Sequence, residues 1–218
     1  MNTENAPQVT TDSAEPIDTT GAARTVDWEN PRVAAILTAA AKCFARKGFS
    51  ATTLAEIGKE LGLRKSIVHY YFASKAALIH EVQSFTYRKY LERVRESIAS
   101  DSGDKANSLR ALWDAMQSDK TATGLNIEVW SAARRDGELK RRAADLQRDA
   151  QAIIGEASVE ALNLPQSFPK RDQLARLLLA VLNGLSVSES IDGDEGKAKE
   201  TYELFLQLLK SGVPSIQS

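Results

Sequence analysis

Between residues 31 and 47 the apolar side chains Val33, Ile36, Leu37, Ala40 and Phe44 recur at i, i+3, i+4, i+7 and i+11, one stripe along a single helix. Asn30 is the natural N-cap, Pro31 the first helical residue and Gly48 the stop. A second helix starts near Thr53, which has capping-box spacing to Glu56, and turns Leu54, Ile57 and Leu61 inward until Gly62 breaks it. Another short helix follows from about Arg64 to Tyr71. A connection of only about three residues forces a steep crossing, and Gly58 offers the side-chain-free position that close approach needs. This is the pattern of a helix-turn-helix.

Ser74 reads as the N-cap of a long helix to about Ile98, with Leu78, Val82, Phe85, Leu91 and Val94 inward. "SDSGDKANS" reads as a loop. Leu109, Leu112, Trp113 and Met116 mark the next helix, and Leu125, Val129, Trp130 and Ala133 another. A long helix spans about Glu138 to Leu162. "NLPQSFPKRD" separates it from "QLARLLLAVLNGLSVSES", and "KAKETYELFLQLLKS" completes the pattern after "IDGDEG". No stretch alternates with period two and none repeats at a solenoid spacing, so the expected fold class is all-α. A helix-turn-helix domain is expected over residues 29–78 and a further helical domain over 79–213. Residues 1–28, rich in Thr, Ser, Ala, Pro and Asp, are expected to form a disordered tail.

Composition narrows the function classes. Hydrophobic residues make up 43% of the 218, enough for a sizeable core. No apolar run approaches the roughly 18 residues of a membrane span, and the start lacks the basic and apolar regions of a secretory signal. A soluble cytoplasmic protein is expected. One cysteine, Cys43, and two histidines leave no intrachain disulfide and little for a soft-metal site. His69 and His80 have no partner at a catalytic spacing, and no Gly-rich phosphate motif follows a strand, so neither an enzyme nor a cofactor is expected. The net charge of −1 hides an asymmetry: residues 24–97 carry thirteen Lys/Arg against seven Asp/Glu, while residues 98–218 carry fifteen against eighteen. One portion is suited to a polyanion.

The chemistry concentrates in "LRKSIVHYYFASKAAL". In a helix from Arg64, Val68 and Phe72 share the inward face, which leaves Lys65, Ser66, Ile67, His69 and Tyr70 outward. Amine, hydroxyl and apolar groups on one short helix suit base edges in a major groove. Lys75 at a helix start opposes the dipole, at a cost of roughly 0.3–1 kcal/mol. A phosphate held there by the free N–H groups and the ammonium would explain it, and the Thr53 hydroxyl and amide could serve likewise. The competing reading makes Tyr70, Tyr71 and Phe72 a core cluster beside a solvated basic end, although two consecutive tyrosines cannot both point inward on a short helix. His69 fits either a structural hydrogen bond or a DNA contact.

The segment "ILTAAAKCFARKGFSATTLAEIGKELGLRKSIVHYYFASKAAL" resembles the N-terminal domain of the TetR family of bacterial transcriptional regulators. The resemblance rests on Phe44 to Gly48, Thr52-Thr53, Ile57, Gly62 and the Tyr71-Phe72-x-Ser74-Lys75 segment. It implies a double-stranded DNA operator, with Lys65, Ser66, Ile67, His69 and Tyr70 near bases and Thr53, Tyr71 and Lys75 near phosphates. Three positions depart from the family pattern: Arg64 where Ser or Thr usually caps, His69 where tyrosine is usual, and Gly58 where alanine is common. The resemblance also implies that the remaining helices bind ligand and dimerise, so that a small-molecule inducer releases a repressor from a palindromic operator.

The apolar surplus at Leu174, Leu177, Leu178, Val181, Leu182 and Leu185, with Phe205, Leu206, Leu208 and Leu209, is expected to form a homodimer through the last two helices. Ordinary intrachain core is the competing reading. Trp113, Met116, Asn126, Trp130 and Asn183 are the candidate ligand-lining residues, against plain core packing. "GLNIEVWSAARRDGELKRRAADLQRDAQAII" is faintly similar to the betaine-synthesis repressor subgroup, which implies a choline-like cation held by aromatics. Two rivals stand beside this reading: a TetR-like DNA-binding protein controlled by a protein partner, and a helical interaction module with an incidental basic end.

Overall fold

The computed structural model describes residues 26–100 and 107–217, with side chains over 26–97 and 107–212. Among the described residues there are nine α-helices and no strand: α1 Pro31–Lys47, α2 Leu54–Glu60, α3 Lys65–Tyr71, α4 Lys75–Ser100, α5 Ser108–Gln117, α6 Lys120–Ala133, α7 Gly137–Ala161, α8 Arg171–Asp192 and α9 Glu195–Gln217. Residues 1–25 and most of the expected loop around 101–106 lie outside the described residues.

Local capping sets the first three helices. The Asn30 carboxamide oxygen accepts from the Arg32 and Val33 amides, at 2.9 and 3.3 Å, and Gly48 ends α1 with φ of 84°. The whole predicted stripe of α1 is buried, with Ile36, Leu37, Ala40 and Phe44 at 0% exposure. Each such large side chain contributes about 1.5–3 kcal/mol on burial. Thr53 and Glu56 close the capping box on α2. Lys47 and the Thr53 amide and hydroxyl hold the Glu56 carboxyl down at about 2, against an ordinary 4.5. A depressed carboxyl stabilises the fold above its unfolded value and loses that contribution as pH falls towards its folded value. Wild type is therefore expected to melt above Glu56→Gln at neutral pH, the gap closing between pH 4.5 and about 2 in thermal melts.

The core around α1 draws on distant helices. Leu125 and Val129 of α6 and Leu139 of α7 join Ile57, Val68, Phe72, Leu78 and Val82. Gly124 lets α6 lie directly on α1: a Cβ there would stand 3.2 Å from the Ala45 Cβ. The expected tail also proves too long at its C-terminal end. Trp28 donates to Glu81 at 3.0 Å, meets Phe85 edge-on at 6.1 Å and lies under the Arg88 guanidinium. An indole is too apolar to leave in water when α4 offers a ring, a carboxylate and a cation together.

The second core lies among the C-terminal half of α4 and α5, α7, α8 and α9, around Leu109, Leu112, Ile154, Leu178, Leu182 and Tyr202. The Tyr202 hydroxyl donates to the Leu109 carbonyl at 2.7 Å, and Arg110 makes a two-pronged pair with Glu203, so α9 is fastened to α5. By length and composition α8 is apolar enough to cross a membrane. Its Leu174, Leu178 and Leu182 fill this core, while Leu177 remains 49% exposed.

Candidate nucleic-acid interface

The turn between α2 and α3 is tight because Gly58 has no side chain. Its carbonyl accepts from the amides of Leu61 at 3.0 Å and Leu63 at 2.8 Å, and Gly62 passes through φ of 65°. A Cβ on Gly58 would lie 2.8 Å from the Leu63 carbonyl oxygen. Helix α3 is thereby pressed on α2 through Val68 and Phe72, exposed by 0% and 2%.

On the opposite side Lys65, Ser66 and His69 are exposed, Tyr70 is 50% exposed, and Ile67 and Tyr71 are half-buried. Tyr70 and Tyr71 pack edge to face at 5.1 Å. Of the three consecutive aromatics only Phe72 is core. Arg64 makes no side-chain cap, as its departure from Ser or Thr leads one to expect. His69 Nδ1 lies 3.3 Å from the Phe72 carbonyl. A carbonyl only accepts, so Nδ1 is the donor in this contact. Among the described residues Lys59, Arg64 and Lys65 have no carboxylate at ion-pair distance, whereas Arg46 pairs with Glu60 and Lys47 with Glu56. Unpaired cations thus gather at the turn and on the outer face of α3.

Thr53 and Lys75 are not free groups. The Thr53 amide donates to Glu56 at 2.9 Å and its hydroxyl donates to the same carboxylate at 3.1 Å. Lys75 Nζ donates to the carbonyls of Phe49 at 2.7 Å and Ser50 at 3.0 Å, and stands 4.7 Å from the Phe49 ring centroid. Two carbonyl dipoles and a ring face offset the unfavourable helix-start position. The lysine therefore ties the start of α4 to the corner between α1 and α2.

Sequence reasoning passed over Glu128. From α6, its carboxylate accepts the Phe49 amide at 2.7 Å and lies beside Gly48, where a Cβ would stand 3.3 Å from it. The corner between α1 and α2 is thus gripped by α6 through Glu128 and by α4 through Lys75. The only local signal is a carboxylate set between the inward-facing Leu125 and Val129.

Glu128 neighbours a second feature. A cavity of about 80 Å³ lies among α4 to α8, room for several waters. Met116, Asn126, Trp130 and Asn183 line it. Trp113 does not: it is 3% exposed and stacks on Tyr202 at 5.3 Å. Its flat ring fits the stacking partner that α9 supplies. Missed from the sequence were Gln83, Tyr87 and Tyr90 of α4, amphipathic residues at i, i+4 and i+7 on one helix face.

Comparison with known proteins agrees with this architecture. Residues 36–82 match the family model described as "Bacterial regulatory proteins, tetR family", and residues 105–214 match "BetI-type transcriptional repressor, C-terminal". An HTH-type transcriptional regulator BetI from Stenotrophomonas maltophilia is 27% identical over 161 residues, 72% of this chain and 80% of that relative. A transcriptional regulator from Saccharomonospora viridis, solved in complex with choline, superposes with TM-score 0.67 at 19% identity, over 81% of this chain and 93% of that one. A Rhodococcus sp. Rha1 transcriptional regulator superposes with TM-score 0.71 at 16% identity, over 83% and 96%.

Proposed function

The chain belongs to the TetR family of bacterial regulatory proteins, and from that premise we propose that this DNA-binding regulator is a homodimeric repressor released from a palindromic operator by a small molecule. The observation that carries the DNA contact is α3 itself, which buries Val68 and Phe72 while holding Lys65, Ser66, His69 and Tyr70 out to solvent. In this reading Lys65, Ser66, Ile67, His69 and Tyr70 meet base edges, while Tyr71 and Lys75 meet phosphates. Thr53 reaches a phosphate only by releasing Glu56. Residues 29–78 make the DNA contact, and 79–213 regulate and dimerise.

Two features support the finer parts. Leu177, Leu204 and Leu208 are exposed by 49%, 54% and 62% on α8 and α9, as a self-complementary interface requires. The cavity-lining Asn126 and Trp130 flank Glu128 on α6, and Glu128 holds the corner that Lys75 also holds. A ligand that favours one placement of α6 therefore biases the position of the helix-turn-helix. A collapsed C-terminal core would favour control by a protein partner alone, and the cavity does not supply that support.

The test is operator affinity over a salt series with two variants. Specific binding is expected to give log K falling linearly with log salt, with slope near −0.9 per phosphate neutralised. Lys65→Ala is expected to relax preference at one base position by about 1–3 kcal/mol. Lys75→Ala is expected to weaken all sequences alike and also to lower the thermal midpoint, because it releases the Phe49 and Ser50 carbonyls. Equal, sequence-independent losses from both would refute the assigned roles.

A further inference from the structure

Among the described residues, every side chain lining the cavity is uncharged. Its polar groups are amides and hydroxyls, among them Gln83, Tyr90, Asn126 and Asn183. Gln83 and Tyr90 are only 7% and 8% exposed, and among the described residues the Gln83 carboxamide oxygen and the Tyr90 hydroxyl are buried without a hydrogen-bond partner. A buried polar group left unpaired is destabilising, because its hydrogen bond to water is lost and not replaced. These two atoms are therefore where a ligand's own polar group gains most. Desolvation pushes the Tyr90 phenol up to about 12 and the Tyr87 phenol higher still, so neither becomes an anion at ordinary pH.

Tyr87 and Tyr90 lean on one another at 6.0 Å, tilted by 57°. Trp130 is 43% exposed. Among the described residues no carboxylate lines the cavity to balance a cation, and no Lys, Arg or His lines it to balance an anion. An ion taken from water without such a partner loses hydration that nothing replaces, a penalty that a neutral molecule largely escapes.

We infer that the cavity takes a small neutral amphiphile, an alcohol or carboxamide with a compact apolar body, rather than a quaternary ammonium or a carboxylate. Its polar end satisfies the Gln83 oxygen or the Tyr90 hydroxyl, and its body lies against Leu125, Val129 and Leu179. This rests on the ligand-regulated reading above and narrows it by charge.

Three shape-matched probes isolate the charge: 3,3-dimethylbutan-1-ol, choline and 3,3-dimethylbutanoate, each titrated into the full chain. Binding is read by thermal midpoint and by tryptophan emission, with Trp130→Phe identifying the responding ring. The alcohol is expected to bind at least about tenfold more tightly than either ion, with an affinity that does not change with salt. Gln83→Met combined with Tyr90→Phe keeps the volume and removes both unpaired groups. It is expected to weaken the alcohol about tenfold or more while leaving the unliganded protein no less stable. Tighter binding of choline or of the carboxylate overturns the neutral class and leaves regulation by a ligand standing. Unchanged alcohol affinity in the double variant overturns the assigned polar contacts. If none of the three binds, the ligand class assigned to the cavity falls, while operator release by any other small molecule keeps the ligand-regulated reading and the salt series decides DNA binding independently.

Discussion

A Leu177→Asp, Leu208→Asp double variant is expected to be a monomer whose affinity for a full palindrome is lower by at least about a hundredfold. The two leucines lie on one shallow apolar cleft, together with Leu174, Leu209 and Gly212, and they are 49% and 62% exposed. Apolar surface contributes about 25 cal/mol per Å² when removed from water. Across a two-fold axis each side chain counts twice, and each aspartate would bury an unpaired charge twice. A dimer places two recognition helices about one DNA turn apart, roughly 34–36 Å, so that engagement of one half-site makes the second intramolecular. Such linkage contributes about 10²–10⁴ in affinity without a new contact, and a monomer forfeits it. Light scattering reads the mass, and binding to half-site and full-site duplexes reads the linkage. A variant that stays dimeric would move the interface away from α8 and α9. A monomer that keeps full-site affinity would remove the need for a palindrome. Both positions are exposed and outside the buried core, so helicity should be retained.

Gly58→Val is expected to lower operator affinity by roughly ten- to a hundredfold, through a change well away from the outward side chains of α3. The first added atom would meet the Leu63 carbonyl at 2.8 Å and a Val68 methyl at 3.4 Å. The carbonyl is backbone, so it cannot rotate aside as a side-chain tip would. The amide of the same residue is held by Gly58 through a 2.8 Å bond. Relief therefore requires α3 to tilt off α2, which draws Val68 and Phe72 out of the core. Overpacking of this kind costs about 1–3 kcal/mol, offset only in part by the roughly 0.5–1 kcal/mol gained on replacing a helical glycine. Gly58→Ala meets the same carbonyl without the two extra methyls and is expected to cost less. Operator titration and thermal melts check both variants. Undiminished affinity in Gly58→Val would show that the corner can open without moving the outer face of α3.

Helix boundaries and the outward side of α3 were legible in the sequence because they depend on neighbours within a turn or two. Asn30, Thr53 and Ser74 cap the amides that follow them, Gly48 and Gly62 adopt positive φ, and the 3.6-residue period separates Val68 and Phe72 from Lys65, Ser66 and Tyr70. The apolar surplus of α8 and α9 was legible for the same reason. The tertiary structure alone decided which partners the amphipathic side chains find. Lys75 reaches back 26 and 25 residues to two carbonyls, Trp28 reaches 53 residues forward to Glu81, and Phe49 and Glu128 meet across 79. Trp113 and Trp130 follow similar local rules yet part company, one stacked in the core and one at the cavity. A period or a cap is a property of the chain's own geometry and is written in adjacent letters. A contact between helices depends on where packing brings distant segments, and an ammonium or an indole is chemically satisfied by many partners, so its letter and its neighbours do not say which one it meets.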